Sequence, residues 1–242
     1  MIFLPAWVYG ASPSKNTVFQ DANTSYRTGD YEKAAKLYEI LLELQPEAPV
    51  LYYDLANAQV RLGKLSHAIL NYEKALRLDP RNADIRENLR YTRGLLEYRV
   101  EDTRNWYLKA TEAVLSYTTE REVYIVVLAA LFVFLAGGIF FFLNGRGVFW
   151  SPWRQFVFIV LLLAALVAFG KQVQSNLIRD AIVMQKECEA RYGPSEHDQV
   201  AFKMGEGIKV FVMDRREDWS RVLLTNGESG WVKDSDISEV KV

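Results

Sequence analysis

The sequence predicts a multidomain membrane protein: an all-α helical-repeat solenoid, a two-helix transmembrane hairpin and a small all-β barrel, in that order. Three observations carry this. A motif recurs after 34 residues in the amino-terminal part, two uncharged apolar runs lie close together in the middle, and the pattern switches to period two near the end. The 242 residues carry 29 Lys and Arg against 30 Asp and Glu, a balance that excludes a basic nucleic-acid footprint. Cys188 is the single cysteine, which excludes an internal disulfide and a cysteine-built zinc cage.

Residues 1–13 are apolar and then abruptly small and polar. They read as a signal-peptide remnant with small residues near Val8 and Gly10 as a cleavage context, or, because a basic opening is missing, as a disordered tail.

Residues 14–98 form the helical repeats with a capping helix. Gly29-Asp30-Tyr31-Glu32-Lys33-Ala34 aligns with Gly63-Lys64-Leu65-Ser66-His67-Ala68, and Ala22/Ala56, Tyr38/Tyr72, Leu44/Leu78 and Pro46/Pro80 keep the register. The small residues let the helices of each pair approach closely, the tyrosines fill the gap towards the next unit, and the glycines end each first helix. From about Thr17 to Pro80 the segment resembles the tetratricopeptide repeat (TPR) family, so the solenoid is expected to be a TPR solenoid. Ile85, Leu89 and Leu96, punctuated by Arg86, Arg90 and Arg93, predict a final capping helix.

Repeats of this kind use the concave face lined by each first helix, which here carries Phe19, Asn23, Tyr26, Arg27, Tyr53, Asn57 and Arg61. Amides can bond both a donor and an acceptor of an extended peptide, and arginines can hold a carboxylate bidentately. Equally, Asn and Arg are ordinary residues of a solvated helix face. Chaperone-binding members of the family hold a terminal carboxylate with basic residues on the third first-helix. Asp84 and Asn88 stand there in this chain, which argues against that ligand.

Residues 99–122 read as an amphipathic linker helix with Trp106, Ala110, Val114 and Tyr117 at helical spacing, and Thr119 with Glu122 forms a capping-box pattern. The first transmembrane helix is expected at 123–143, a short loop at 144–151 and the second span at 152–170, with Pro152 in its first turn and Trp150 and Trp153 at the interface. Arg146 and Arg154 place the loop in the cytoplasm. With an export signal, the flanking domains then become periplasmic and the chain a two-span protein of the bacterial inner membrane. Residues 171–180 are a linker.

Residues 181–242 predict a small barrel. Lys209–Asp214 and Trp219–Thr225 read as strands, and Asn226-Gly227 is a hairpin-turn signal. Gly193-Pro194-Ser195, Glu206-Gly207, Trp219, Arg221-Val222, Gly227 and Gly230-Trp231-Val232 resemble the bacterial SH3 domain family. Tyr192 and Trp219 are the candidates for a ligand groove, with Trp231 and Phe211 assigned to the core. Cys188 reads as a core thiol, and neither His67 nor His197 has companions for a metal site.

No Gly-rich phosphate loop, zinc motif or nucleophile context occurs, so neither an enzyme nor a cofactor is expected. The domain order resembles the BatE-like TPR/SH3 membrane proteins of bacterial aerotolerance (Bat) operons. That resemblance implies scaffolding in envelope stress tolerance, with von Willebrand A-domain membrane proteins and a MoxR-type AAA+ ATPase as partners. The alternative is an envelope protein that binds peptidoglycan through its SH3-like domain.

Overall fold

The computed structural model describes residues 14–117, 119–143, 155, 158–163, 165–168, 170 and 179–241. The leader at 1–13, the loop at 144–151 and the positions Pro152, Trp153, Arg154 and 171–178 lie outside the described residues.

Two helical hairpins open the chain, α1 (Lys15–Arg27) with α2 (Tyr31–Leu44) and α3 (Pro49–Arg61) with α4 (Leu65–Leu78). Three of the four starts have a local cause. The Ser14 and Asp30 side chains accept the Thr17 and Lys33 backbone N–H groups, and Pro49 occupies the first turn of α3, where its missing N–H costs nothing. Gly29 and Gly63 follow α1 and α3 at φ 84° and 71°, a left-handed conformation that side chains disfavour. The packing follows the repeat: Ala22, Ala34, Ala56 and Ala68 are fully buried where helices cross, and Tyr38 and Tyr72 are buried beside them. Next, α5 (Ala83–Gly94) buries Ile85, Leu89 and Thr92 and caps the stack.

After α5 come α6 (Trp106–Ser116) and α7 (Glu120–Leu143). The Thr119/Glu122 capping box forms reciprocally: the Thr119 N–H donates to Glu122 Oε2 at 3.0 Å and the Glu122 N–H to Thr119 Oγ1 at 3.3 Å. Arg81 reaches the same carboxylate at 3.0 Å and ties the start of α7 to the repeat.

The expected transmembrane hairpin, and the inner-membrane placement built on it, are overturned: among the described residues no helix is long and apolar enough to cross a membrane. Positions 156, 157, 164 and 169 of the second expected span also lie outside the described residues. The fold class is therefore a helical repeat region plus a β-sheet domain.

That domain is one antiparallel sheet of seven strands: β1 (Arg179–Val183), β2 (Cys188–Arg191), β3 (Val200–Met204), β4 (Lys209–Arg216), β5 (Trp219–Leu223), β6 (Ser229–Lys233) and β7 (Ile237–Glu239), in spatial order β3-β2-β6-β5-β4-β1-β7. Cys188 opens the second strand, and the polar pair Arg179-Asp180 begins the strand ahead of it. The β5–β6 connection is a three-residue loop closed by Leu224 and Glu228, with Gly227 at φ 91°. Ala181, Val210, Val222 and Val232 are fully buried at the centre.

The two parts share a core. Ile182 and Val240 of the β domain pack with Ile69, Tyr72 and Leu89 of the repeat region in one buried cluster, and Leu96 and Met184 lie against it. The turn into β4 seats on this surface. A Cβ at Gly207 would stand 2.7 Å from Leu96 Cδ2 and 2.8 Å from Ile69 Cδ1, and one at Gly205 would strike the Tyr98 ring.

Candidate functional site

Four of the seven expected concave-face residues, Asn23, Tyr26, Arg27 and Asn57, line one groove of about 320 Å³, together with Tyr38 and Asp54. The repeat builds its floor twice. Tyr38 donates its hydroxyl to Asn23 Oδ1 at 2.7 Å, and Tyr72 donates to Asn57 Oδ1 at 2.6 Å. The amide oxygens therefore hold the second helix of each pair. Among the described residues, the Nδ2 groups of Asn23 and Asn57 have no acceptor and remain available to a ligand.

The other expected residues do different work. Phe19 is half-buried against the first hairpin's core, and the Tyr53 ring lies tilted by 56° against Tyr72, 6.0 Å between centres, while its hydroxyl accepts from Asn88 Nδ2 at 3.0 Å. Arg61 lies over the Tyr31 ring, 6.0 Å from its centre, and Arg27 directs Nε at the Asn23 carbonyl of its own helix, 3.3 Å away. The two arginines are thus not poised together as a carboxylate fork.

Asp54 is the residue that sequence reasoning missed. Burial pushes its carboxyl up to about 6, and among the described residues no donor or cation meets it. Burial, followed by the charge of Asp54, also pushes the Tyr38 hydroxyl well above its usual range. Position 54 does not recur: Gln20 stands one period before and Asn88 one period after.

In the β domain Tyr192 is 72% exposed just beyond β2, whereas Trp219 is half-buried at the start of β5 with Lys233 6.0 Å from its ring. The two rings are not in contact with each other among the described residues. Trp231 is buried, with Arg216 over its ring at 5.2 Å. Phe211 is only half-buried, with Arg104 5.6 Å from its ring. Cys188 is buried, and burial pushes its thiol up to about 12. Among the described residues no group of three His, Cys, Asp or Glu is placed to hold a metal.

A larger cleft of about 730 Å³ lies between the two parts, lined by Glu73, Arg86, Arg93, Arg104 and Lys209 among others. Most of its charges are committed to one another, while Arg86 donates to the Pro80 carbonyl and lies over the Tyr117 ring. Lys209 reaches Asp180 at 3.0 Å and Glu73 at 3.5 Å, Arg93 pairs with Glu73, Arg77 with Asp180 at 3.1 Å, and Arg104 with Asp102 and Glu112, both at 2.8 Å. Burial opposes the ionisation of Glu73, but Lys209 and Arg93 outweigh it and hold the carboxyl below its usual value. This cleft is a seam between domains, and its cations are occupied.

The family model described as Tetratricopeptide repeat matches residues 20–83, and that described as Bacterial SH3 domain matches residues 185–239. Among curated proteins the chain is 33% identical over 70 residues to Protein SGT1 homolog of Oryza sativa subsp. japonica, covering 29% of this chain and 19% of that one. It is 34% identical over 68 residues to the Tetratricopeptide repeat and J domain-containing co-chaperone DNJ1 of Cryptococcus neoformans var. grubii, covering 28% of this chain and 13% of that one. The chain thus spans less than a fifth of either relative's length.

Proposed function

We propose that this chain is a non-enzymatic adaptor that holds a partner polypeptide in the groove of its TPR region and presents the SH3-like domain beside it. The observation that carries this is the groove itself. Asn23 and Asn57, one on each first helix, line the same space with their amide oxygens held by Tyr38 and Tyr72 and their Nδ2 donors without an acceptor among the described residues. Such donors suit the backbone carbonyls of an extended segment and supply no acid, base or nucleophile for chemistry. The matches to TPR and bacterial SH3 models, and to a TPR co-chaperone, support an interaction role.

The partner classes implied by the domain order are von Willebrand A-domain proteins and a MoxR-type ATPase, within an envelope-stress or aerotolerance role. The test is pairwise co-purification of the full chain with each of these proteins from its own genome, comparing wild type with Asn23→Ala/Tyr26→Ala. The reading expects recovery with wild type and loss with the groove variant. Equal recovery by both overturns the groove as the holding site.

A further inference from the structure

We propose that the groove seats a lysine or arginine side chain of an extended partner segment, with Asp54 as its counter-ion and the Nδ2 groups of Asn23 and Asn57 donating to the segment's backbone. This rests on the reading of the groove as a polypeptide site and names the chemistry that the site selects.

The contrast between two equivalent positions carries the argument. One period after Asp54, Asn88 closes the next step of the solenoid by donating Nδ2 to Asn57 Oδ1 at 3.1 Å and to the Tyr53 hydroxyl at 3.0 Å. At Asp54 no such closure forms among the described residues. An ionised carboxylate has no hydrogen to give to Asn23 Oδ1, and the place of Tyr53 is taken by Phe19, which has no hydroxyl. The solenoid is therefore sealed at 88 and open at 54.

An open, half-buried carboxylate is costly unless a cation reaches it. The fold does not supply one among the described residues: Arg27 lines the same groove but turns Nε to the Asn23 carbonyl, and Arg61 lies over Tyr31. A ligand cation completes the site, and the Tyr26 ring in the lining offers it a π face. An acidic ligand group would meet Asp54 as a like charge.

The test is to pan a randomised library of extended heptapeptides on the full chain and, separately, on Asp54→Asn, then to measure the selected peptides against both proteins. The proposal expects Lys or Arg to be enriched at one fixed position on wild type, with binding weakened about tenfold or more by Asp54→Asn. A thermal melt of Asp54→Asn shows that the variant remains folded. Enrichment of acidic or apolar residues, or binding indifferent to Asp54→Asn, overturns the cation assignment and leaves the polypeptide reading standing. If no sequence is enriched, both readings fall.

Discussion

Lys209 of β4 reaches the Glu73 carboxylate of α4 at 3.5 Å across 136 residues of chain, and with Asp180 it forms the charged seam that joins the helical and β parts. Both acids are buried where the two parts meet, so the lysine offsets part of the desolvation that burial imposes on them. The docking of two interaction modules is thus specified by charge as well as by the apolar contact of Ile182 and Val240 with Ile69.

Removing the lysine alone should be damaging. Lys209→Met leaves two buried carboxylates to Arg93 and Arg77 and is expected to cost about 3 kcal/mol in urea unfolding. Glu73→Gln/Asp180→Asn/Lys209→Met together removes all three charges and should recover most of that loss. If the triple variant is no more stable than the single one, the seam is not held by these charges.

The same seam sets an acid limit. Because the Glu73 carboxyl titrates below its ordinary value of 4.5 in the folded chain, its stabilisation is complete above that value and is lost as pH falls through the folded pKa. The protection of β1 amides, corrected for the intrinsic exchange rate, should fall below about pH 4.5, and Glu73→Gln should flatten that dependence.

Asp54 has the opposite sign. Its carboxyl, facing Tyr26 and Arg27 of α1 and Tyr38 of α2, titrates near 6 instead of 3.8, so the folded chain holds the proton more tightly than the unfolded one. Stability from this group is present below about pH 4 and is lost as pH rises through 6. Asp54→Asn should therefore raise stability at pH 7 by about 1 kcal/mol, after allowing for its partial exposure, while it lowers ligand binding. Denaturant melts at pH 4, 5.5 and 7 check both sign and window.

Two glycines separate docking from backbone strain. Gly207 and Gly227 both have positive φ, 77° and 91°, but only Gly207 has neighbours in the way, with Leu96 at 2.7 Å and Ile69 at 2.8 Å. Gly227→Ala should cost about 1 kcal/mol from conformation alone. Gly207→Ala should cost about 1–3 kcal/mol more, since Leu96 and Ile69 must also shift. Equal costs would mean that the β3–β4 turn does not bear on the repeat.

The elements most legible in the sequence were those that recur. Ala22, Ala34, Ala56 and Ala68, the paired glycines and the Asn/Tyr positions announce themselves because each hairpin must solve the same packing problem. Recurrence alone does not reach the seam. Glu39 and Glu73 are equivalent by period, yet Glu39 is exposed while Glu73 is buried against the β domain, a partner 136 residues away that no local pattern encodes. The role of the asparagines was half visible: a side-chain amide suits a ligand, but its oxygen is already taken by the tyrosine of the neighbouring helix. Asp54 was invisible because it breaks the repeat. The apolar run at 123–143 was legible as hydropathy alone, and hydropathy alone did not establish a span.

The central claim, that the groove around Asn23, Asp54 and Asn57 holds another polypeptide, is tested most directly by site-specific photo-crosslinking in cells that naturally make the chain. A photoreactive residue replaces Arg27 at the groove or, as the control, the exposed Glu39 on α2. The account predicts a discrete crosslinked protein from position 27, diminished by Asp54→Asn, and none from position 39. No crosslink from 27, or the same products from both positions, would contradict it.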